Sequence, residues 1–339
     1  MSNTPHEAIL DVRHLKKYFP IEKGFLRRVA GYVRAVDDVS FSVRKGQTMG
    51  LVGESGCGKT TTAWTIIRLH EATAGEVYFR VRDGEILDMA ALEKGRLKEI
   101  RRYMGVVFQD PYASLNPRKT VLDIVADPLL NYGVKRGERE ARVAELLTMV
   151  GLDPSTMPRY PHAFSGGQRQ RIGIARALAL SPSLLIADEP VSALDVSVQA
   201  QILNLLSDLR DKLGLSYLFI AHDLSVIQHI CDRVAVMYMG SIVEEADTEV
   251  LFSQPAHPYT ASLMAALPVP DPHKPWNPKL NGEVGKPSET GSGCVFAHRC
   301  PYADQICHDE TPTLETKTTD TKDSHLVACH FADELQLDA

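Results

Sequence analysis

Four short, nearly unbroken apolar runs punctuate the chain: Met49–Val52, Met104–Phe108, Leu184–Ala187 and Tyr217–Ala221. Each sits among longer segments with helix-like spacing. Strands apolar on every residue are covered on both faces, so the pattern predicts an α/β fold around a mainly parallel sheet. Ile9–Leu15 and Ala35–Val43 alternate instead, which predicts antiparallel strands. Between them lies a Gly-containing insertion that reads as an exposed loop. Its Lys16, Lys17, Lys23, Arg27, Arg28 and Arg34 face only Glu22. Such a stretch suits anionic lipid headgroups and, equally, a solvated hairpin.

Past about Ala246 the pattern breaks down. Prolines from Pro255 to Pro287 leave room for little beyond a short helix near Tyr259–Ala266, and the segment reads as a linker. A polar stretch, Thr316–Ser324, reads as a loop in the tail that follows. The expected division is a domain over residues 9–250 and an extension over 251–339.

Composition narrows this picture. At 339 residues, with 44% apolar and 24% charged, the chain has ample material for a core and is not a disordered polymer. A net charge of −6 gives no global basic field, so no nucleic-acid partner is expected. No apolar run is long enough for a membrane span and no signal peptide is evident, which predicts a cytoplasmic chain whose membrane role comes through partners.

Candidate chemistry begins at Gly53-Glu54-Ser55-Gly56-Cys57-Gly58-Lys59-Thr60, a P-loop pattern that follows the strand Met49–Val52 and precedes the helical Thr61–Leu69. Its glycines let backbone N–H groups curl around a phosphate at a helix N-terminus. Lys59 is placed for the β/γ-phosphates and Thr60 for Mg²⁺. Cys57 reads as a small side chain filling the turn. Downstream, Leu184–Ala187 ends in Asp188 and Glu189. Asp188 is placed to hold Mg²⁺, and Glu189 to act as general base toward an attacking water.

A second glycine-rich helix start, Phe164-Ser165-Gly166-Gly167-Gln168-Arg169-Gln170-Arg171, has Ser165 placed as its N-cap. This octapeptide resembles the signature motif of the ABC ATPases, with Phe164 where Leu is usual. Over residues 9–250 the resemblance implies the ABC ATPase nucleotide-binding fold: a P-loop core sheet, an N-terminal antiparallel β-subdomain, and a helical signature subdomain over about 110–180. It implies ATP sandwiched in a head-to-tail dimer, with the P-loop (Gly53 to Thr60, then Thr61) of one chain facing Ser165, Gly166, Gly167 and Gln168 of the other. Gln109 resembles the Q-loop glutamine that touches Mg²⁺ and water. Ser192-Ala193-Leu194-Asp195 resembles the D-loop, and His222 the switch histidine. An adenine-stacking aromatic is expected near the end of the first strand, with Phe19 favoured over Tyr18.

The stretch from Thr60 to Ser165 holds a small helical subdomain and no long coiled coil, which disfavours chromosome-maintenance ATPases. A single cassette counts against translation-associated factors. Tyr112-Ala113-Ser114-Leu115-Asn116-Pro117, His257-Pro258-Tyr259-Thr260 and the cysteine tail resemble the ATPase subunits of oligopeptide/dipeptide importers. That resemblance implies a peripheral protein on the cytoplasmic face of the inner membrane. Its implied partners are a paralogous ATPase subunit, two integral membrane permeases and an extracytoplasmic peptide-binding protein. The basic insertion would then lie near lipid headgroups or a permease loop. Importers of nickel or another small solute share these features, and a soluble ABC ATPase or a redox-sensing regulator is the reading from another class.

Of six cysteines, Cys57 and Cys231 stand alone, while the tail carries Cys294-x5-Cys300-x6-Cys307-x21-Cys329. In a cytosolic chain such clustering points to a metal or redox site before disulfides. Four thiolates suit Zn²⁺ or an iron–sulfur cluster, and the spacing matches neither a zinc ribbon nor the bacterial ferredoxin run. The importer resemblance implies a [4Fe–4S] cluster, with Zn²⁺ the alternative. His298, His308 and His330 read as surface residues.

Overall fold

A computed structural model describes residues 8–24, 28–82, 84–266, 292–317 and 325–337. The strands in chain order are β1 (Ala8–Lys23), β2 (Arg28–Arg44), β3 (Thr48–Val52), β4 (Ala74–Arg80), β5 (Ile86–Asp88) and β6 (Met104–Val107). They continue with β7 (Leu184–Asp188), β8 (Ser216–Ala221), β9 (Arg233–Tyr238), β10 (Ser241–Asp247), β11 (Glu315–Thr316) and β12 (Leu326–Val327). The helices are α1 (Lys59–Ile66), α2 (Lys94–Arg101), α3 (Val121–Asn131), α4 (Arg136–Met149) and α5 (Gly166–Ala177). After them come α6 (Val196–Leu213), α7 (Leu224–Ile230), α8 (Thr248–Ser253), α9 (Pro258–Ala265) and α10 (Gln305–Asp309).

Two sheets result. The larger runs β11-β12-β10-β9-β3-β8-β7-β6, with β9, β3, β8, β7 and β6 mutually parallel. The smaller, β2-β1-β4-β5, is antiparallel throughout. The four apolar runs are strands of the larger sheet, and their alternate residues divide between its two faces. Leu218 and Ile220 pack with Leu10, Val12, Val39 and Phe41 of the antiparallel sheet. Tyr217 and Phe219 pack with Ile172, Ile202 and Leu206 on the helical side. Both halves of each strand are therefore apolar because both have a partner layer.

The helical lobe contains α3, α4 and α5. Thr120 and Asp123 form a reciprocal capping box at the start of α3, and Ser165 and Gln168 form one at the start of α5.

Two expectations change, for the basic insertion and for the polar stretch of the tail. The basic insertion is not a loop: β1 and β2 continue through it as a ribbon, with Tyr18 opposite Arg34, Ile21 opposite Gly31 and Lys23 opposite Arg28. An exposed two-stranded ribbon tolerates charge on its faces, and Arg34 reaches Asp37 at 3.4 Å and lies over the Tyr18 ring. Arg27 falls outside the described residues. The larger sheet is mainly parallel as expected, from β9 to the edge strand β6, and is extended on the other side by β10, β12 and β11, each antiparallel to its neighbour. Thr316 belongs to β11, opposite Leu326, so the polar stretch starts as strand; residues 318–324 are outside the described set, as are 267–291 of the proline-rich linker. Among the described residues no helix is long and apolar enough to cross a membrane.

Ile220 is fully buried between the sheets, whereas Val196 is 82% exposed. Ile220→Ala is expected to cost about 2–5 kcal/mol, and Val196→Ala less than about 0.5 kcal/mol. Urea midpoints of the two variants check the contrast.

Candidate nucleotide site

Four parallel strands deliver the candidate residues from their C-terminal ends, where open α/β sheets bind ligands. β3 leads into the P-loop, β6 toward Gln109, β7 to Asp188 and Glu189, and β8 to His222.

The P-loop is wedged between two backbones. A Cβ on Gly53 (φ 150°) would stand 2.1 Å from the Met237 carbonyl oxygen, and one on Gly58 (φ 110°) 2.1 Å from that of Ala35. Gly58 is also the left-handed N-cap of α1. Only glycine meets both demands. Cys57 is buried in the turn and burial raises its thiol pKa, in keeping with a filler rather than a reactive thiol. The Lys59 ammonium donates to the carbonyls of Gly53 (2.8 Å) and Glu54 (3.0 Å). Thr60 Oγ1 donates to Asp188 Oδ1 at 3.0 Å, so the two expected Mg²⁺ ligands are adjacent. Burial pushes the Asp188 carboxyl above its usual range, with the Thr60 bond opposing and the Glu189 charge reinforcing the shift. A divalent cation there would favour the ionised form.

Glu189 follows β7 in a left-handed conformation (φ 45°), and its carbonyl accepts from Ser192 Oγ at 3.1 Å. Backbone strain of this kind re-aims the side chain. One carboxylate oxygen, Oε2, accepts from Gln109 Nε2 at 2.7 Å and lies 3.1 Å from His222 Nδ1. Gln109, Glu189 and His222 line one cavity with Ser55, Lys59 and Thr60. Three residues read from separate motifs thus meet on a single oxygen.

Other expected residues stand apart. Ser165, Gly166, Gly167 and Gln168 do not line this cavity. They pack beside the D-loop instead, where a Cβ on Gly166 would lie 3.3 Å from Leu194 and one on Gly167 2.5 Å from Val198. Phe19 is likewise outside the lining; its ring meets His70 edge-on at 5.4 Å and lies under Lys17. The Tyr18 hydroxyl donates to Asp37.

The tail cysteines are all free thiols, and Cys294, Cys300, Cys307 and Cys329 line one small cavity with Phe296 and Phe331. Burial raises the Cys294 and Cys300 thiols and pushes Cys329 up to about 11. Among the described residues no three His, Cys, Asp or Glu side chains are grouped as ligands of one metal ion. The four thiols share this cavity without forming a ligand set for one ion.

Two contacts had no signal in spacing. The Glu54 backbone N–H donates to the Tyr259 hydroxyl at 2.9 Å, and the Glu54 carboxylate pairs with Arg299 at 2.8 and 3.1 Å. Partners 205 and 245 residues distant are invisible to local pattern, although Tyr259 lies in a tetrapeptide already singled out. Nearby, fully buried Glu244 accepts from the backbone N–H groups of Ala256 and His257 and meets His325 Nε2 at 2.7 Å. Burial holds the His257 imidazole neutral, its pKa pushed down to about 4.

The ABC transporter family pattern matches residues 36–192, and that of the oligopeptide/dipeptide transporter C-terminal region matches 243–307. An oligopeptide transport ATP-binding protein, AppF of Bacillus subtilis (strain 168), is 49% identical over 98% of this chain and 99% of its own. A probable peptide ABC transporter ATP-binding protein, y4tS of Sinorhizobium fredii (strain NBRC 101917 / NGR234), is 51% identical over 96% of this chain and 90% of its own. Among solved structures, the dimeric post-hydrolysis state of the ATP-binding cassette MJ0796, bound to ADP and Pi, superposes with a TM-score of 0.61 at 29% identity, covering 70% of this chain and 98% of that one. With a P-loop, a signature helix and a paired carboxylate in this order, and with relatives alike over nearly its whole length, the chain belongs to the ABC transporter family of ATPases, in the branch that carries the oligopeptide/dipeptide transporter C-terminal region.

Proposed function

We propose that this chain hydrolyses ATP to power peptide import through a membrane transporter, seated on the cytoplasmic face of the membrane against two permease subunits. A paralogous ATPase subunit would complete its nucleotide sites, and an extracytoplasmic binding protein would deliver the peptide. The observation that carries the hydrolytic step is the Glu189 carboxylate, held by Gln109 and His222 at the mouth of the Lys59–Thr60 cavity. The relatives' names as peptide transport proteins support the solute class.

With ATP seated, Lys59 would move from the loop carbonyls to the phosphates, and the P-loop amides would take up their charge. Mg²⁺ held by Thr60, Gln109 and Asp188 supplies further charge neutralisation when bound. Glu189 takes a proton from water as the water oxygen bonds the γ-phosphorus and the bond to the β-phosphate oxygen breaks, leaving ADP and phosphate. Gln109 and His222 keep the carboxylate aimed. The signature residues Ser165 to Gln168 lie away from this chain's own cavity, which fits their use by a partner's ATP in a head-to-tail dimer. The exposed Val196 next to Asp195 leaves an apolar contact open on that side. Phe19 is proposed as the adenine-stacking ring on the family resemblance; Lys17 lies over one face of its ring and would have to share or yield it.

We further propose that the four tail thiols take up a [4Fe–4S] cluster. Their support is convergence on one cavity as free thiols, the donor type that iron–sulfur clusters take. Uptake would release the protons that burial favours on Cys294, Cys300 and Cys329.

Glu189→Gln is expected to lower turnover by about 10²–10⁴-fold while MgATP binding survives, as read by phosphate release and nucleotide titration; full turnover would remove Glu189 from this role. Anaerobically purified protein is expected to hold about four iron and four sulfide per chain, and Ser at Cys294, Cys300, Cys307 and Cys329 should abolish both. One zinc, or no metal, overturns the cluster and leaves the ATPase reading standing.

A further inference from the structure

Glu54 occupies an awkward place for an acid. It follows the first P-loop glycine, its own carbonyl holds the Lys59 ammonium, and its backbone N–H is spoken for by Tyr259. A free carboxylate here would oppose an incoming triphosphate. It would also offer Lys59 an ion pair in place of the phosphates.

The structure removes that charge from play with a residue of the tail. Both Nη atoms of Arg299 donate to the two Glu54 oxygens, a bidentate arrangement that fixes orientation as well as neutralising charge. Arg299 ends the short turn Ala297–Arg299, directly before Cys300. Its side chain is only 7% exposed, lies against the Tyr238 and Phe296 rings, and reaches the Tyr238 hydroxyl at 3.4 Å. Tyr238, Tyr259 and Phe296 are in mutual ring contact, so the guanidinium and the Tyr259 hydroxyl approach Glu54 from one packed unit.

We propose that Arg299 is a positioning residue of the ATP site: by pairing with Glu54 it keeps a carboxylate off Lys59 and the phosphate-binding amides, and thereby makes ATP affinity depend on the placement of the Cys294–Cys300 turn. The proposal rests on ATP binding at the P-loop and on neither the transported solute nor the cluster.

The test is a MgATP titration of the full chain, comparing wild type with Arg299→Ala, Arg299→Lys, Glu54→Gln, the Glu54→Gln/Arg299→Ala double variant and Lys59→Ala. Arg299→Ala is expected to raise the ATP Kd about tenfold, and Arg299→Lys by less. The double variant should return to the Kd of Glu54→Gln alone, because with no carboxylate to neutralise the guanidinium has nothing left to do. Wild-type affinity in Arg299→Ala overturns the proposal. So does a double variant as weak as Arg299→Ala, which would reduce the arginine to a packing element. Should Arg299→Ala lose its cooperative melt, the double variant is read against Glu54→Gln directly, equal affinities supporting the proposal and a tenfold loss overturning it. Undiminished ATP binding in Lys59→Ala would strike at the P-loop reading itself, a separate failure.

Discussion

A strand covered on both faces has only its ends available for chemistry, and the rest of this molecule follows from that constraint. β3, β8 and β7 give one set of side chains to the helical core and the alternate set to the antiparallel sheet. Their parallel direction puts all their C-terminal ends on one edge, where β6 joins them. The P-loop, Gln109, Asp188, Glu189 and His222 are neighbours because the strands before them are neighbours. Even the tight passage at Gly53 and Gly58 reflects this packing, since the loop must clear the carbonyls of Met237 and Ala35.

Charge at that edge is handled one carboxylate at a time. Asp188 is buried and accepts a hydrogen bond from Thr60, which opposes the upward shift that burial gives its carboxyl. Glu189 is turned out of line by its left-handed backbone and held from two sides. Glu54 is tied to a guanidinium from the far end of the chain. Three acids beside one phosphate site are compatible because each has a different electrostatic partner.

Much of the site was legible in sequence because its motifs are local: a glycine-rich turn between strand and helix, or an apolar run ending in Asp188 and Glu189, carries its own structural context. The β1–β2 ribbon was legible only as one of two alternatives, because its Lys and Arg residues suit an exposed loop as well as the solvated hairpin that it forms. The meeting of Gln109 and His222 on one Glu189 oxygen required the sheet order, which no single segment states. Arg299 was illegible: a basic residue among cysteines has no pattern that points 245 positions back along the chain.

The last strands have a consequence of another kind. β10 lies next to β9, and on its outer side Glu244 and Glu245 pair with β12, beyond which, among the described residues, comes the two-residue β11. A row of open hydrogen-bonding groups on β10 would invite a strand from another molecule. The tail's two short strands shorten that row to a stub and place exposed Glu315 on it. The extension that sets Arg299 against the P-loop thus also covers part of the sheet's edge, so two distant margins of the fold are finished by one appendage of the chain.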